Sequence, residues 1–283
     1  MNIKPIKPML LHKLDNIDDP FDGADYITEL KLDGIRLLIV KGTDSYRLYT
    51  RHGTDVTARF PELYDFAVSL PANTTVDGEL VQVDPTTGAP DFEALMARFR
   101  VTNATKIATA VKDAPVTYYP FDIVVPRVPL LERKRQLTEL LAVQAPHIEE
   151  VRYYHGIAAE YNDAVKGYGL EGIVVKRADS TYQKNKRSRD WLKHVNYAQE
   201  DVYVTGYRTD GDFGWLLAFE NGKPAGIMEL GVPTAARHAV YRASKTEGGD
   251  GVARLDEPIH CRVKYRNLTL NDYLRLPSFV TFL

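Results

Sequence analysis

Hydrophobic and polar positions alternate in short runs along the first two-thirds of the chain. Runs rich in Val, Ile, Leu and Tyr that end at Gly, Pro, Asn or Asp are typical of strands, and apolar positions three and four residues apart are typical of helices. The predicted strands are 26–30, 36–40, 46–50, 76–83, 116–125 and 172–177, and the predicted helices are 61–70, 91–99, 130–144 and 158–168. This mixture predicts an α+β domain.

The pattern changes after about residue 197. Strands at 201–207, 215–220 and 225–230, a helix at 234–244, a glycine-rich loop at 248–251 and a last strand at 260–265 are predicted there. Asn221-Gly222 is a strong signal for a hairpin turn. Short strands with one helix are typical of a small barrel such as an OB-fold. We therefore predict two domains, 1–197 (α+β) and 198–283 (OB-fold).

The composition excludes several classes of protein. The 283 residues are 44% hydrophobic and 26% charged, as in folded globular chains. The single cysteine, Cys261, excludes an internal disulfide framework and a CxxC metal site, and it suits a reducing compartment. The N-terminus has no apolar run of signal-peptide length, and the apolar runs are too short to span a membrane. These features predict a soluble cytoplasmic protein with no membrane partner.

The net charge of −2 argues mildly against a protein dedicated to nucleic acids, but the charge is unevenly distributed. Seven basic residues against two acidic ones lie between positions 176 and 193. Because salt confines each field to about 10 Å, a local basic segment can hold phosphates even on a near-neutral protein. A solvated loop is the alternative. The candidate nucleic-acid contacts are Lys184, Lys186, Arg187 and Arg189.

The first candidate for chemistry is Lys31, which lies in a predicted turn with the sequence Glu-Leu-Lys-Leu-Asp-Gly-Ile-Arg. These charges could simply form ion pairs in a hairpin loop. Alternatively, Lys31 is a nucleophile. A free lysine has a pKa of about 10.4, so burial, nearby cations or a metal must lower it. Asp33 could then orient the amine, and Arg36 could hold a phosphate with two parallel hydrogen bonds.

Lys31-x-Asp33-Gly34-x-Arg36 resembles motif I of the covalent nucleotidyltransferases, a family that includes DNA ligases, RNA ligases and mRNA capping enzymes. The family's other motifs follow in order, at spacings similar to those of the family. Each match alone has an ordinary structural explanation, but coincidence does not explain why all of them occur in the order typical of the family. They are Thr50-Arg51-His52-Gly53, Val76-Asp77-Gly78-Glu79, Pro120-Phe121-Asp122, Glu171 to Lys176, Trp191-Leu192-Lys193 and Leu274-Arg275-Leu276-Pro277.

The resemblance implies a role for each matching residue. Lys31 would carry AMP, and a metal ion would bind near Glu171 and Glu79. Arg275 would orient the leaving pyrophosphate after the domains close about a hinge near residue 197. The implied contacts to the nucleotide are made by Arg36, Arg51, Glu79, Phe121, Lys176 and Lys193.

The implied reaction has three steps, in which AMP moves from ATP to Lys31, then to the 5′-phosphate at a nick, and is finally displaced by the 3′-hydroxyl. Mg²⁺ is the expected metal, with Mn²⁺ as a substitute. Glu29 can only accept hydrogen bonds, so it suits the 6-amino group of adenine and would repel the carbonyl of guanine. This disfavours a capping enzyme that uses GTP. Only thirty residues precede Lys31, too few for an NAD-binding module.

The resemblance extends from Pro8 to Phe279. It is to small two-domain DNA ligases of bacteria and phages and to the ligase module of bacterial end-joining enzymes. It implies an adenylation domain of antiparallel sheets with helices, followed by an OB-fold. Nicked duplex DNA would be the substrate of a monomer in the bacterial cytoplasm or nucleoid, with repair or end-joining proteins as candidate partners. An RNA ligase and a catalytically silent nucleic-acid-binding protein of the same fold are the alternatives.

One position departs from the family pattern. The fifth motif usually reads Trp-x-Lys-x-Lys, whereas Val195 stands here in place of the second lysine. Lys193 keeps the implied contact to the α-phosphate, and Lys176 could share it. The departure predicts an active protein that binds ATP more weakly.

Overall fold

The computed structural model describes residues 3–14, 21, 23–142, 145–248 and 251–283. The chain divides into two compact units, Met1–Val195 and Asn196–Leu283. The two units are described separately below.

The first unit contains two sheets and their covering helices. Short 3₁₀ turns at Thr57–Arg59 and Pro61–Leu63 precede the first α-helix. The elements are β1 (Leu10–Lys13), β2 (Tyr26–Leu30), β3 (Ile35–Lys41), β4 (Tyr46–Thr50), α1 (Tyr64–Ser69), β5 (Thr75–Val81), α2 (Phe92–Phe99), α3 (Ala104–Asp113), β6 (Thr117–Ile123), α4 (Leu130–Leu141), β7 (Tyr153–His155), α5 (Ala158–Gly167), β8 (Gly172–Arg177) and β9 (Arg187–Val195).

The two sheets of this unit share no strand. One has the order β1-β9-β8-β2-β7, and the other has the order β4-β3-β5-β6. Apart from the parallel pair β1–β9, all ladders are antiparallel. The main core lies over the second sheet and includes Leu37, Phe66, Leu80 and Tyr118.

Local signals in the sequence set several helix ends. The Asp91 carboxylate accepts a hydrogen bond from the Ala94 amide at the start of α2, as an N-cap should. Asn103 caps α3 in the same way through the amides of Thr105 and Lys106. Helix α5 ends just before Gly169, which has a φ of 68° and therefore the left-handed conformation that glycine favours.

In the part that the structure describes, the second unit is built on a six-stranded sheet with one helix. The sheet has the order β12-β11-β10-β14-β13, and β15 pairs with β14. An isolated bridge joins Leu230 to Ser278, but no continuous ladder among the described residues closes the sheet into a barrel. The elements are β10 (Ala198–Arg208), β11 (Trp215–Ala218), β12 (Pro224–Met228), α6 (Thr234–Arg242), β13 (Lys245–Glu247), β14 (Val252–Tyr265) and β15 (Ser278–Phe282).

The core of the second unit lies between this sheet and α6. It contains Val204, Trp215, Val240 and Cys261, all fully buried or nearly so. Cys261 is a free cysteine, and its side chain is part of this core. No described helix is both long and apolar enough to cross a membrane.

The α+β class and most predicted elements are confirmed, with shifts at their ends. Helix α4 ends at Leu141 rather than 144, and residues 143–144 lie outside the described part of the chain, as do residues 249–250 of the predicted loop. The prediction of 260–265 as the last strand is wrong, since it is the second half of β14 and β15 follows it. The strands β1, β7, β9, β13 and β15 and helix α3 were not predicted.

Candidate active site

Lys31 lies where the chain passes from one sheet of the first unit to the other. It directly follows β2, and β3 begins four residues later in the second sheet. Its amide donates to the carbonyl oxygen of Gly172 on β8, at 2.9 Å. At Gly34 a Cβ atom would lie 2.3 Å from the Leu80 carbonyl oxygen, so no side chain fits. The hairpin considered from the sequence is therefore wrong, because the two strands do not pair.

The side chain of Lys31 pairs with Glu171, the residue just before β8. Its Nζ lies 3.0 Å from Oε2 of Glu171, and the side chains are 18% and 4% exposed. The ladder between β2 and β8 pairs Leu30 with Ile173, which brings the end of one strand beside the start of the other. Two residues that are 140 positions apart are thus held together by sheet pairing.

Glu79 faces the same region from β5, where it stands opposite Arg36 of β3. Burial raises the pKa of Glu79 to about 7, although the charges of Lys31 and Arg36 act to lower it. Asp77 and Asp33 add to the increase. The central position of β5 between β3 and β6 shows that Glu79 is not an exposed edge residue.

Arg36 is held by a buried carboxylate. Its Nε and Nη2 donate to the two oxygens of Asp77, at 2.9 and 2.6 Å, and the Tyr182 hydroxyl donates to Oδ2 of Asp77 at 2.5 Å. Burial alone would lower the pKa of Arg36, but Asp77 raises it above its ordinary value. Since Asp77 takes both nitrogens of one edge of the guanidinium, the parallel pair of phosphate bonds considered from the sequence does not fit that edge.

Aromatic rings and a buried lysine form the apolar end of the site. Phe121 of β6 and Trp191 of β9 meet edge to face with ring centres 6.3 Å apart. The Nζ of Lys176 lies 4.5 Å from the centre of the Phe121 ring and 4.3 Å from that of Trp191, and the Arg36 guanidinium lies 5.3 Å from Phe121. Phe121 both packs on the core and lines the pocket.

Glu29 is buried between two ammonium groups. Its Oε2 lies 2.6 Å from Nζ of Lys176, and its Oε1 pairs with Nζ of Lys134 on α4. Burial by itself would raise the pKa of Glu29, but Lys134 and Lys176 hold it below its ordinary value. Burial in turn lowers the pKa of Lys176 to about 8, against the attraction of Glu29.

Sequence reasoning missed Lys134, although a signal was present. Leu130, Lys134, Leu137 and Leu141 have helical spacing, so the lysine lies on the apolar stripe of α4. A lysine at such a position is buried and needs an anionic partner. Asp77 and Tyr182, which hold Arg36, were also not recognised as parts of the site.

Several of these side chains line a pocket in the first unit. Its empty space is about 460 Å³, including the part open to solvent. One end is apolar and aromatic, and the other carries opposite charges. The polar and aromatic lining residues are Lys31, Arg36, Glu79, Phe121, Lys176 and Trp191.

Further cations lie near the charged end of the pocket. Lys193 on β9 stands opposite Val174, which lines the pocket. Partial burial lowers the pKa of Lys193, and so do the positive charges of Lys31, Arg187, Arg51 and Lys13. Lys13 was not identified from the sequence.

The remaining predicted residues lie on other segments of the chain. The segment of Lys184, Lys186, Arg187 and Arg189 is exposed at the start of β9, and the Arg187 guanidinium donates to the Leu11 carbonyl oxygen. Arg275 belongs to the second unit, where its amide donates to the Asn267 carbonyl oxygen at 2.9 Å.

The carboxylates suit a hard divalent cation. Among the described residues, no group of three or more His, Cys, Asp or Glu side chains is arranged to hold a metal ion. Mg²⁺, however, usually takes one or two carboxylates and completes its shell with waters and substrate phosphates. Glu171 and Glu79 fit that description, since the first contacts Lys31 and the second lines the same pocket.

The chain is similar to proteins of one known family. The family model for the ATP dependent DNA ligase domain matches residues 8–194. The SPbeta prophage-derived DNA ligase-like protein LigB of Bacillus subtilis (strain 168) is 39% identical over 280 residues, which cover 97% of each chain. The bifunctional non-homologous end joining protein LigD of the same bacterium is 29% identical over 92% of this chain, which spans 46% of LigD.

A solved structure shares the fold. The Lig E DNA ligase structure has a TM-score of 0.74 and 20% sequence identity, and the match covers 98% of both chains. At this identity the likeness concerns the fold alone.

Proposed function

Because the chain belongs to the ATP-dependent DNA ligase family, we propose that Lys31 is its nucleophile, which takes AMP from ATP so that the protein can seal nicks in duplex DNA. The observation that carries this proposal is the position of Lys31. It lies at the junction of two sheets, 3.0 Å from Glu171, and lines a pocket with an aromatic end. An ordinary surface lysine has no such surroundings.

In the first step, Nζ of Lys31 attacks the α-phosphorus of ATP. The new N–P bond forms as the bond to the oxygen bridging the α- and β-phosphates breaks, and pyrophosphate leaves. Nζ must first lose a proton, and the Glu171 carboxylate at 3.0 Å is placed to accept it. Lys193 and Arg51 add positive charge beside Lys31, which favours the phosphates. A magnesium ion held by Glu171 and Glu79 would neutralise phosphate charge.

The base of the nucleotide belongs at the apolar end of the pocket. Phe121 supplies a ring face on which a purine can stack. Glu29 holds two ammonium groups, but a carboxylate can accept about four hydrogen bonds. It can therefore also accept one from the 6-amino group of adenine.

The later steps require DNA. AMP passes from Lys31 to the 5′-phosphate at the nick, and the 3′-hydroxyl then attacks that phosphate and releases AMP. We assign phosphate contacts to the exposed residues Lys184, Lys186 and Arg189. Arg275 serves the first step by orienting pyrophosphate, and Val195 leaves that step with one lysine fewer than the family pattern.

The first step is tested by labelling. The protein is incubated with Mg²⁺ and ATP labelled at the α-phosphate, denatured, and examined for label on the chain. We expect label on the wild type and on Lys166→Ala, a variant of an exposed lysine on α5, but not on Lys31→Ala. A preparation that is already adenylated is first discharged with pyrophosphate.

Three results would contradict the proposal or a part of it. Equal label on Lys31→Ala would assign the nucleophile elsewhere. No label on the wild type, together with no AMP released by pyrophosphate, would favour a catalytically silent protein. Sealing of nicked RNA but not nicked DNA by the labelled protein would contradict the choice of DNA as substrate.

A further inference from the structure

We propose that Lys134 sets the base specificity of the adenylation step, because it keeps the Glu29 carboxylate ionised and so keeps it an acceptor for adenine. The inference rests on the proposed function, since it takes Glu29 to be the group that reads the base. Lys134 would be a positioning residue, acting on the nucleotide only through Glu29.

The geometry around Lys134 has no evident structural purpose apart from Glu29. Lys134 is completely buried on α4, and its Nζ pairs with Oε1 of Glu29. The ring of Tyr153 on β7, 5.4 Å from Nζ, provides a second favourable contact for the cation. An alkyl side chain at this point of the apolar stripe would cost no desolvation, so the charge needs an explanation.

Two cations around one buried carboxylate have a clear electrostatic effect. The groups facing Glu29 are Lys134 from α4, Lys176 from β8 and the hydroxyl of Tyr161 from α5, and Asp122 from β6 acts on Lys176. Burial lowers the pKa of Lys176 to about 8 against the attraction of Glu29, and the charge of Lys134 adds to the decrease. A buried carboxylate and a buried amine can become neutral together by passing one proton. Lys134 prevents this by adding a second positive charge.

The protonation state of Glu29 decides which base fits. An ionised carboxylate only accepts hydrogen bonds, which matches the 6-amino group of adenine and opposes the 6-carbonyl of guanine or hypoxanthine. A protonated carboxyl also donates one hydrogen bond, which matches that carbonyl. Discrimination of this kind can reach several orders of magnitude when a buried polar group would otherwise stay unpaired. Loss of Lys134 should therefore weaken the preference for ATP.

The experiment compares ATP with inosine triphosphate, which differs at the 6-position and in the proton on N1 but lacks the 2-amino group of guanine. Single-turnover rates of label transfer to the chain are measured with both nucleotides, and the ratio of the rates is the readout. A loss of folded protein lowers both rates alike and leaves the ratio unchanged. We expect Lys134→Met and Lys134→Gln each to lower the ATP preference at least about tenfold.

Two further variants make the result specific. Lys134→Arg retains a cation and should keep the ratio within about threefold of wild type. Arg135→Met removes the next charge on α4, whose side chain is 59% exposed and pairs with Glu132 and Glu139, and should leave the ratio unchanged. Glu29→Gln presents an amide that can donate, so it should also favour the inosine nucleotide.

The outcomes separate this inference from the proposed function. If Glu29→Gln changes the ratio but both neutral variants of Lys134 lower the two rates equally, Lys134 is only structural and the inference fails. If Glu29→Gln also leaves the ratio unchanged, Glu29 does not read the base and the inference fails with that assignment. In both cases label on Lys31 would still support the lysyl-AMP step. Absence of that label in the wild type would instead refute the proposed function.

Discussion

At the scale of single residues, the site depends on partners that hold its charged groups in fixed positions. The guanidinium of Arg36 is held by Asp77, and Asp77 in turn accepts a hydrogen bond from the Tyr182 hydroxyl. Tyr182 also accepts a hydrogen bond from the Met9 amide, at 3.3 Å. The Tyr182 hydroxyl therefore connects Met9, the residue before β1, with the ion pair of Arg36 and Asp77.

Tyr182→Phe tests this series of hydrogen bonds. The change removes a hydrogen bond to an ionised group and leaves the Met9 amide without its buried acceptor, so we expect a loss of about 2 kcal/mol of unfolding free energy. Urea unfolding followed by fluorescence measures it. Tyr168→Phe, at a residue that is 82% exposed, is the control and should change stability by less than about 0.5 kcal/mol. Equal stability of the two variants would show that the Tyr182 hydroxyl contributes nothing.

Cys261 offers a second residue-scale test, of the core of the second unit. Burial raises the pKa of its thiol to about 12, and the charge of Asp201 adds to the effect. Only the thiolate reacts with disulfide reagents, so at pH 8 we expect almost no reaction of the folded protein with an aromatic disulfide. The same protein in urea should react with one equivalent per chain. Rapid labelling of the folded protein would contradict the burial of Cys261.

At the scale of elements, the sequence predicted strands that contain few charged residues. Gly172–Arg177 and Tyr46–Thr50 have the bounds expected from the pattern. Strand β9 was missed because charged residues interrupt it, yet it pairs with β1 on one side and β8 on the other. The partners of a strand are set by long-range pairing, which a local pattern does not contain.

The same limit applies to the site. Motif spacing identified Lys31, Glu79, Phe121, Glu171 and Lys176, all of which lie in or beside one pocket. It could not show that β2 and β3 belong to different sheets, which is why a hairpin was considered. Nor could it show what fills the space around each charge, so Lys134 and Tyr182 were found only in the structure.

The pairing of β8 with β9 gives a prediction at this scale. Gly172 has a φ of 143°, and a Cβ atom there would lie 2.1 Å from the His194 carbonyl oxygen on β9. The Gly172→Ala substitution must therefore displace β9. The displacement occurs next to Glu171 and next to the amide of Lys31. We expect a loss of at least about 3 kcal/mol of unfolding free energy and a large fall in label transfer to Lys31.

Gly167→Ala is the matched control for that change. Gly167 ends α5, a Cβ atom there meets nothing within 4 Å, and its φ is not positive. Alanine also favours a helix, so this variant should be as stable as the wild type or more stable by up to about 1 kcal/mol. Urea unfolding compares the two. A mild effect of Gly172→Ala would mean that β9 tolerates displacement at this point.

At the scale of the whole molecule, the distribution of charge matters more than the net charge. If the charge were evenly distributed, a net charge of −2 would mildly oppose binding to DNA. Instead, Lys184, Lys186 and Arg189 are exposed together at one end of β9. Arg187 lies among them, but its guanidinium is engaged with the Leu11 carbonyl oxygen, so we attribute to it the attachment of β9 to β1 rather than a phosphate contact.

The salt dependence of DNA binding measures the contribution of this segment. Each cation that neutralises a phosphate adds about 0.9 to the slope of log K against log salt. A variant with Lys184→Ala, Lys186→Ala and Arg189→Ala should therefore bind nicked DNA with a slope smaller by about 2 to 3, while label transfer from ATP stays unchanged. The control replaces Lys106, Lys112 and Lys166, exposed lysines of α3 and α5, by alanine and so changes the net charge equally. If both variants lose the same slope, general charge and not this segment holds the DNA.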